Sequence, residues 1–342
     1  MLHFENDYNK GAHPALLQAL VETNDEGLSG YGTDVYTESA IEKIRQACDC
    51  PQAQITFLTG GTQTNQVVIN SMLASYEGVV AAEAGHISVH EAGAIEFSGH
   101  KVLTLPHENG KISAADVRQL LVDFYADGNR EHMVFPGMVY ISHPTEYGTL
   151  YSKSELEELS ALCREYKIPL FLDGARLGYG LAAKDTDVDL PTIAKLVDVF
   201  YIGGTKMGAL MGEAIVFMQN NEPKHFTPIV KQHGALLAKG RLNGVQFDRF
   251  FTENLYFELG QHAVDLAEEL KVILEEKGFE FYLKSPTNQQ FVIVENEQLT
   301  ELTEKGIVYG FWEKYDDSRT VICFATSWST TREELEELKN RL

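Results

Sequence analysis

Short apolar runs alternate with amphipathic stretches through the first two thirds of this 342-residue chain, and few architectures tolerate that rhythm. Gln54-Ile55-Thr56-Phe57-Leu58 reads as a strand that breaks at Thr59-Gly60-Gly61-Thr62, with a helix expected from about residue 63 to 76. Further strands are expected at 79–82, 101–105, 138–142, 168–172 and 198–202. Between two of them, Ser152-Lys153-Ser154-Glu155 has the form of a capping box, followed by apolar residues at Leu156, Leu159, Leu162 and Tyr166. Strands that alternate with helices predict an α/β fold with a largely parallel sheet.

The texture changes near residue 250. A long acidic amphipathic helix is expected over about 258–277, then short strands around 279–283, 290–294, 309–312 and 320–326, then a last helix opened by the capping box Thr331-Arg332-Glu333-Glu334. This predicts a large domain over residues 1–250 and a smaller C-terminal α+β domain over 251–342. The N-terminal segment is free to cross to the small domain or to a neighbouring subunit. A chain of this length exceeds what one core usually supports, which agrees with two domains.

Composition removes several function classes. A net charge of −22 and a pI near 4.9 argue against a surface built for nucleic acid or anionic membrane. Cys48, Cys50, Cys163 and Cys323 are too few for a disulfide framework, and no second pair completes a metal site with Cys48 and Cys50, so no metal is expected. No secretory pattern follows Met1, and no apolar run approaches the roughly 18 residues of a membrane span, so the cytoplasm is the expected location.

Three groups of residues sit where strands end, which is where open parallel sheets bind ligands. Gly60-Gly61-Thr62 lies between a strand and a helix, where small residues let backbone N–H groups approach an anion; an ordinary tight turn is the plainer reading. Asp173, directly after an apolar strand in Asp173-Gly174-Ala175-Arg176, is costly there unless it meets a cation. That cation is a protonated ring nitrogen or simply a neighbouring Lys or Arg. Arg176 is suited to a two-pronged grip on a carboxylate. Lys206 emerges after Gly203-Gly204-Thr205, where partial desolvation would lower its pKa and suit it to imine chemistry. Together these supply a phosphate seat, a ring-nitrogen partner and a carbonyl trap, the set that pyridoxal phosphate demands.

The motifs resemble the threonine aldolase branch of the fold-type I pyridoxal-phosphate enzymes, the β-eliminating lyase family. The matching stretches are Gly11-Ala12-His13-Pro14, Tyr31-Gly32-Thr33-Asp34, Gly60-Gly61-Thr62, Gly85-His86 with Glu91-Ala92-Gly93-Ala94, Asp173-Gly174-Ala175-Arg176, Gly204-Thr205-Lys206, Gly240-Arg241 and Thr326-Ser327-Trp328. The resemblance implies an aminotransferase-like large domain and cleavage of β-hydroxy-α-amino acids such as threonine or allo-threonine to glycine and an aldehyde. It makes Lys206 the Schiff-base lysine and Asp173 the partner of the pyridine nitrogen. Gly60, Gly61 and Thr62 would take the phosphate, helped by Arg241 of a second subunit. His86 would stack on the ring, Arg176 would hold the substrate carboxylate, and Tyr31 would line the pocket across a subunit boundary. His86 or Glu146 would serve as the acid/base, with His143 close to Glu146 in the chain. A homodimer is then the minimum assembly and a homotetramer the expected one. Two positions depart from the family pattern: Asn6 stands where serine is common, and Cys323 where an arginine usually helps bind the substrate carboxylate. A thiol cannot replace a guanidinium fork, so Arg319 or another group would have to compensate. β-Elimination, racemisation and a binding protein without turnover remain the alternatives.

Overall fold

The computed structural model describes residues 1–218 and 220–342. Its twelve strands are β1 (Leu2–Phe4), β2 (Gln54–Leu58), β3 (Glu77–Ala82), β4 (Val102–Leu105), β5 (Phe135–Ser142), β6 (Leu170–Asp173), β7 (Val199–Gly203), β8 (Glu213–Phe217), β9 (Glu280–Leu283), β10 (Gln289–Glu295), β11 (Ile307–Lys314) and β12 (Arg319–Ala325). β2 to β8 form one sheet in the order β2-β8-β7-β6-β5-β3-β4, and the other five form a second in the order β1-β11-β12-β10-β9.

Side chains alternate across each strand of the large sheet, and both faces are covered. Val80, Val139, Leu172, Phe200 and Val216 enter one core, shared with Leu156, Leu159 and Leu162 of the helix Lys153–Tyr166. Val79, Met138, Tyr140, Phe171, Tyr201 and Ile215 enter the other, shared with Val67, Val68 and Ile69 of the helix Gly61–Met72. The Ser152 and Glu155 capping box forms as expected, with Glu155 N donating to Ser152 Oγ at 3.3 Å. β3 to β7 pair in parallel. β8 is antiparallel to both β7 and β2, so β2 again runs with the majority. The carboxyl ends of β2, β3, β5, β6 and β7 therefore open on one edge, and so does the amino end of β8.

The second sheet buries Ile322 and Phe324 against Leu270, Ile273 and Leu274 of the helix Leu255–Glu276. Its other face carries Phe291, Ile293, Val321 and Cys323. The same helix gives Tyr256, Leu259 and Ala263 to the large core, so it serves both sheets. The N-terminal strand β1 pairs in parallel with β11 of the small sheet.

Several elements differ from expectation. The helix after the glycines starts at Gly61 and ends at Met72, earlier at both ends than 63–76. β5 begins at Phe135 and runs through Pro136, which is tolerated because the register with β3 shifts at Gly78 and Val79. β1, β8 and the helix Asn296–Glu304 were not expected. Among the described residues, no helix is long and apolar enough to cross a membrane.

Candidate active site

Two adjoining cavities open at the common strand edge. The inner one, about 300 Å³, is lined by Gly60, Gly61, Thr62, His86, Glu146, Asp173, Arg176 and Lys206, all singled out in the sequence. The outer one, about 370 Å³, shares His86, Glu146, Arg176 and Lys206 and adds Asn6, Gln289, Trp312 and Cys323. A larger cleft of about 540 Å³ around Pro106, Lys111 and Glu155 lies elsewhere, and there Lys111 already pairs with Glu155 at 2.6 Å.

Asp173 closes β6 at 4% exposure. The strand alternation that sends Tyr140 and Tyr201 to one face brings both hydroxyls onto it, at 2.6 and 2.5 Å. Asn65 Nδ2 donates at 3.0 Å from the helix Gly61–Met72, and Ala175 N donates at 3.0 Å. Burial pushes this carboxyl up, but attraction to His86 and the bonds from Tyr140, Tyr201 and Asn65 outweigh it. Asp173 sits below the usual carboxylate range and is ionised at neutral pH.

His86 opens a short helix, and its Nδ1 lies 2.7 Å from Glu91 Oε1. The same oxygen accepts from Asn65 Nδ2 at 2.8 Å, so one amide joins the histidine's partner to Asp173. With Nδ1 engaged by Glu91, Nε2 is the ring nitrogen left free of that pairing.

Lys206 follows β7 on the turn Thr205–Met207, its Nζ 5.9 Å from the Tyr8 ring centre. Gly204 is required there, since a Cβ would lie 2.6 Å from Gly212 O. Burial and the neighbouring Arg176 lower the lysine's pKa, and Asp7, Asp173 and Glu213 partly offset this. Facing it, Gly60 caps the helix Gly61–Met72, whose first turn holds no acidic residue. The first N–H groups of a helix have no partner within it and point out of its end, as an anion requires.

Glu146 is buried, and its Oε1 accepts from Ser142 Oγ at 2.7 Å and from His86 N at 2.8 Å. Burial raises its pKa despite those bonds. His143 is no alternative: it is fully buried away from both cavities, its Nδ1 accepts from Tyr151 N, and burial lowers it to about 4.

The carboxylate side differs from the sequence reading. Arg176 makes its two-pronged grip, but on Asp7, with Nε to Oδ2 at 2.7 Å and Nη2 to Oδ1 at 3.1 Å. Asp7 is 1% exposed and also accepts from Asn288 Nδ2 at 3.0 Å. Burial pushes Asp7 up, but Arg176 and Lys206 hold it below its ordinary value. Cys323 faces the outer cavity with Gln289 Nε2 3.7 Å from its sulfur, and burial pushes the thiol up to about 12. It is neutral and supplies no charge. Arg319 does not compensate: it pairs with Asp316 at 2.7 Å on the outer hairpin, because strand β12 carries it four residues away from the cavity end.

Tyr31 and Arg241 stand outside both cavities of this chain. Tyr31 is 51% exposed, with Lys231 Nζ 5.0 Å from its ring centre, and Arg241 donates to Glu26 O at 2.8 Å. They share one surface, since Tyr31 N donates to Ala238 O at 3.0 Å.

Asp7, Tyr8, Asn65, Tyr140, Tyr201 and Glu213 are site residues that reading the sequence missed, and Glu91, part of a motif there, gains its role as the partner of His86 only from the structure. The two tyrosines were reachable: each lies two residues before the end of its strand, hence on the same face as that end. Asp7 directly follows the motif residue Asn6. The Asn65 bridge has no local signal, because it joins positions far apart in sequence.

Known proteins carry the same fold and much of the same sequence. A Pseudomonas low-specificity L-threonine aldolase is 29% identical over 342 aligned positions, covering 98% of this chain and 95% of its own. The structure of Leishmania major threonine aldolase superposes with a TM-score of 0.94 at 40% identity, covering 99% of this chain and 98% of that one. Aspartate aminotransferase from Thermus thermophilus shares the fold at 15% identity, with a TM-score of 0.70 over 100% of this chain and 92% of its own. The sequence pattern of the β-eliminating lyases matches residues 11–297, and the chain belongs to that family.

Proposed function

We propose that this chain is a pyridoxal-phosphate-dependent carbon–carbon lyase that cleaves threonine and related β-hydroxy-α-amino acids to glycine and an aldehyde. One observation carries the reading: an ionised carboxylate, a lysine with lowered pKa and the open end of a helix line a single cavity. The residues fit the cofactor. Lys206 would hold its aldehyde carbon, Asp173 its ring nitrogen, and the N–H groups of Gly61 and Thr62 its phosphate, with Gly60 allowing the approach. When bound, pyridoxal phosphate supplies an electron sink for the negative charge left on the substrate's α-carbon as the bond to the β-carbon breaks.

The chain's own groups do the rest. Asp173 would keep the ring nitrogen protonated. His86, which lines the same cavity, would take the proton of the β-hydroxyl through Nε2. Glu146, whose carboxyl is raised by burial, is suited to return a proton. Arg176 holds the substrate carboxylate through the guanidinium edge that Asp7 leaves open, beside the Asn6 amide. The 2-subunit elements complete the site: Tyr31 and Arg241 of a second copy reach the cavity, the minimum assembly is a homodimer and the working one a homotetramer. Their shared surface away from this chain's own cavity supports that arrangement. A cytoplasmic location belongs to the same reading, supported by the acidic composition and four free cysteines.

The test is to mix purified protein and pyridoxal phosphate with allo-threonine, and to couple acetaldehyde to a dehydrogenase. Glycine and acetaldehyde in equal amounts are expected. No acetaldehyde from threonine or allo-threonine would remove the proposal, and pyruvate with ammonia from serine derivatives would point to elimination instead.

A further inference from the structure

Glu213 has no part in the scheme above, yet it lines the inner cavity at 3% exposure. It is there because β8 runs against its neighbours: the first residue of that strand pairs with Gly203 on one side and Leu58 on the other, at the edge where parallel strands end. Its Oε2 accepts from Gly204 N at 3.0 Å and its Oε1 from Thr205 Oγ at 2.8 Å. These donors are the two residues immediately before Lys206.

Both donors are neutral. A buried carboxylate without a cation is expensive and becomes protonated unless a charge faces it. The ionisable groups around Glu213 are Lys206 on its turn, Asp173 at the end of β6, Tyr201 in β7 and Tyr256 on the helix Leu255–Glu276, with Arg176, His86 and Glu146 lining the same cavity. Tyr256 is committed to Gly203 O at 3.0 Å and Tyr201 to Asp173. Arg176 is committed to Asp7, and Lys206 is the cation that acts on Glu213.

Resting on the lyase reading above, we propose that Glu213 is the positioning residue of Lys206: its carboxylate ties down the Gly204-Thr205 turn and faces the lysine nitrogen with a negative charge. The consequence is a higher proton affinity at that nitrogen than the surrounding burial alone would give. Attraction to Lys206 in turn opposes the burial that raises Glu213 to about 7.

Gln can accept from the Gly204 N–H as Glu does, so Glu213→Gln removes charge and leaves the turn its backbone bond. The readout is the pH midpoint of the visible absorbance band of the cofactor-bound protein, which follows the proton on the lysine nitrogen and needs no turnover. The midpoint is expected to fall by about one unit in Glu213→Gln, and Glu213→Asp, which keeps the charge, is expected to stay nearer the wild type. Thr205→Val, which deletes one donor holding the carboxylate ionised, should move it the same way by less, and it stands in if Glu213→Gln does not fold. An unmoved midpoint in Glu213→Gln, or a Glu213→Asp midpoint that falls as far, overturns the role. If the wild type shows no such band at all, the cofactor reading itself fails, a separate and visible outcome.

Discussion

Asp173 receives four hydrogen bonds in the cavity floor, from Tyr140, Tyr201, Asn65 and Ala175 N, which keeps it charged where burial alone would neutralise it. Asp173→Asn keeps the volume and loses the charge. Breaking a buried charge pair costs about 3–5 kcal/mol, so kcat/KM with allo-threonine is expected to fall roughly 10²–10⁴-fold; steady-state kinetics on folded variant protein checks this. Glu91 acts through another residue, fixing His86. Glu91→Gln should lower kcat by about 10–100-fold, the size seen when a partner that orients a ligating histidine is removed. The acidic limb of the kcat pH profile should move with it, which a purely structural loss would not do. The Asp7–Arg176 pair is both anchor and site. Asp7→Asn leaves a buried guanidinium half-paired and is expected to destabilise the fold by up to about 3–5 kcal/mol, read as a lower denaturation midpoint.

At the scale of elements, strand β8 has a cost that pH should reveal. The Glu213 carboxyl rises from 4.5 to about 7 in the fold. Between those values the folded chain keeps a proton that the unfolded chain has released, so stability falls as pH rises through that window and stays lowered above it. Denaturant midpoints of the cofactor-free protein at pH 5 and 8 measure the difference, and Glu213→Gln should flatten it. The alternation of strands and helices made the large sheet legible, and with it Asp173, Arg176 and Lys206 at strand ends. β8 was not legible: Glu213-Ala214-Ile215-Val216-Phe217 is an apolar run with no helix before it, so the strand–helix rhythm passes over it. Arg176 lines the cavity, but its Asp7 partner was hidden. Sequence patterns report which face a residue takes, and they say little about which distant residue meets it there.

The whole molecule is needed to finish the site, if Tyr31 and Arg241 serve a neighbour's cavity. Mixing Lys206→Ala chains with Tyr31→Ala/Arg241→Ala chains should then regenerate activity, because one cavity of each hybrid has both halves intact. About a quarter of wild-type sites would be restored in a randomly reassorted dimer population, and no recovery after demonstrated exchange would refute sharing. The amino-terminal strand raises a different matter. Residues 2–4 complete the edge of the small sheet, and the next four residues supply Asn6 to the outer cavity, Asp7 to Arg176 and Tyr8 to the neighbourhood of Lys206. The segment from Leu2 to Tyr8 is thus sewn through the reactive centre, although the Asp7 partners Arg176 and Asn288 lie 169 and 281 residues further along the chain. Deleting residues 1–8 would therefore take Asp7 from Arg176 and Asn6 from the outer cavity, and a chain so shortened is expected to lose activity in the acetaldehyde assay.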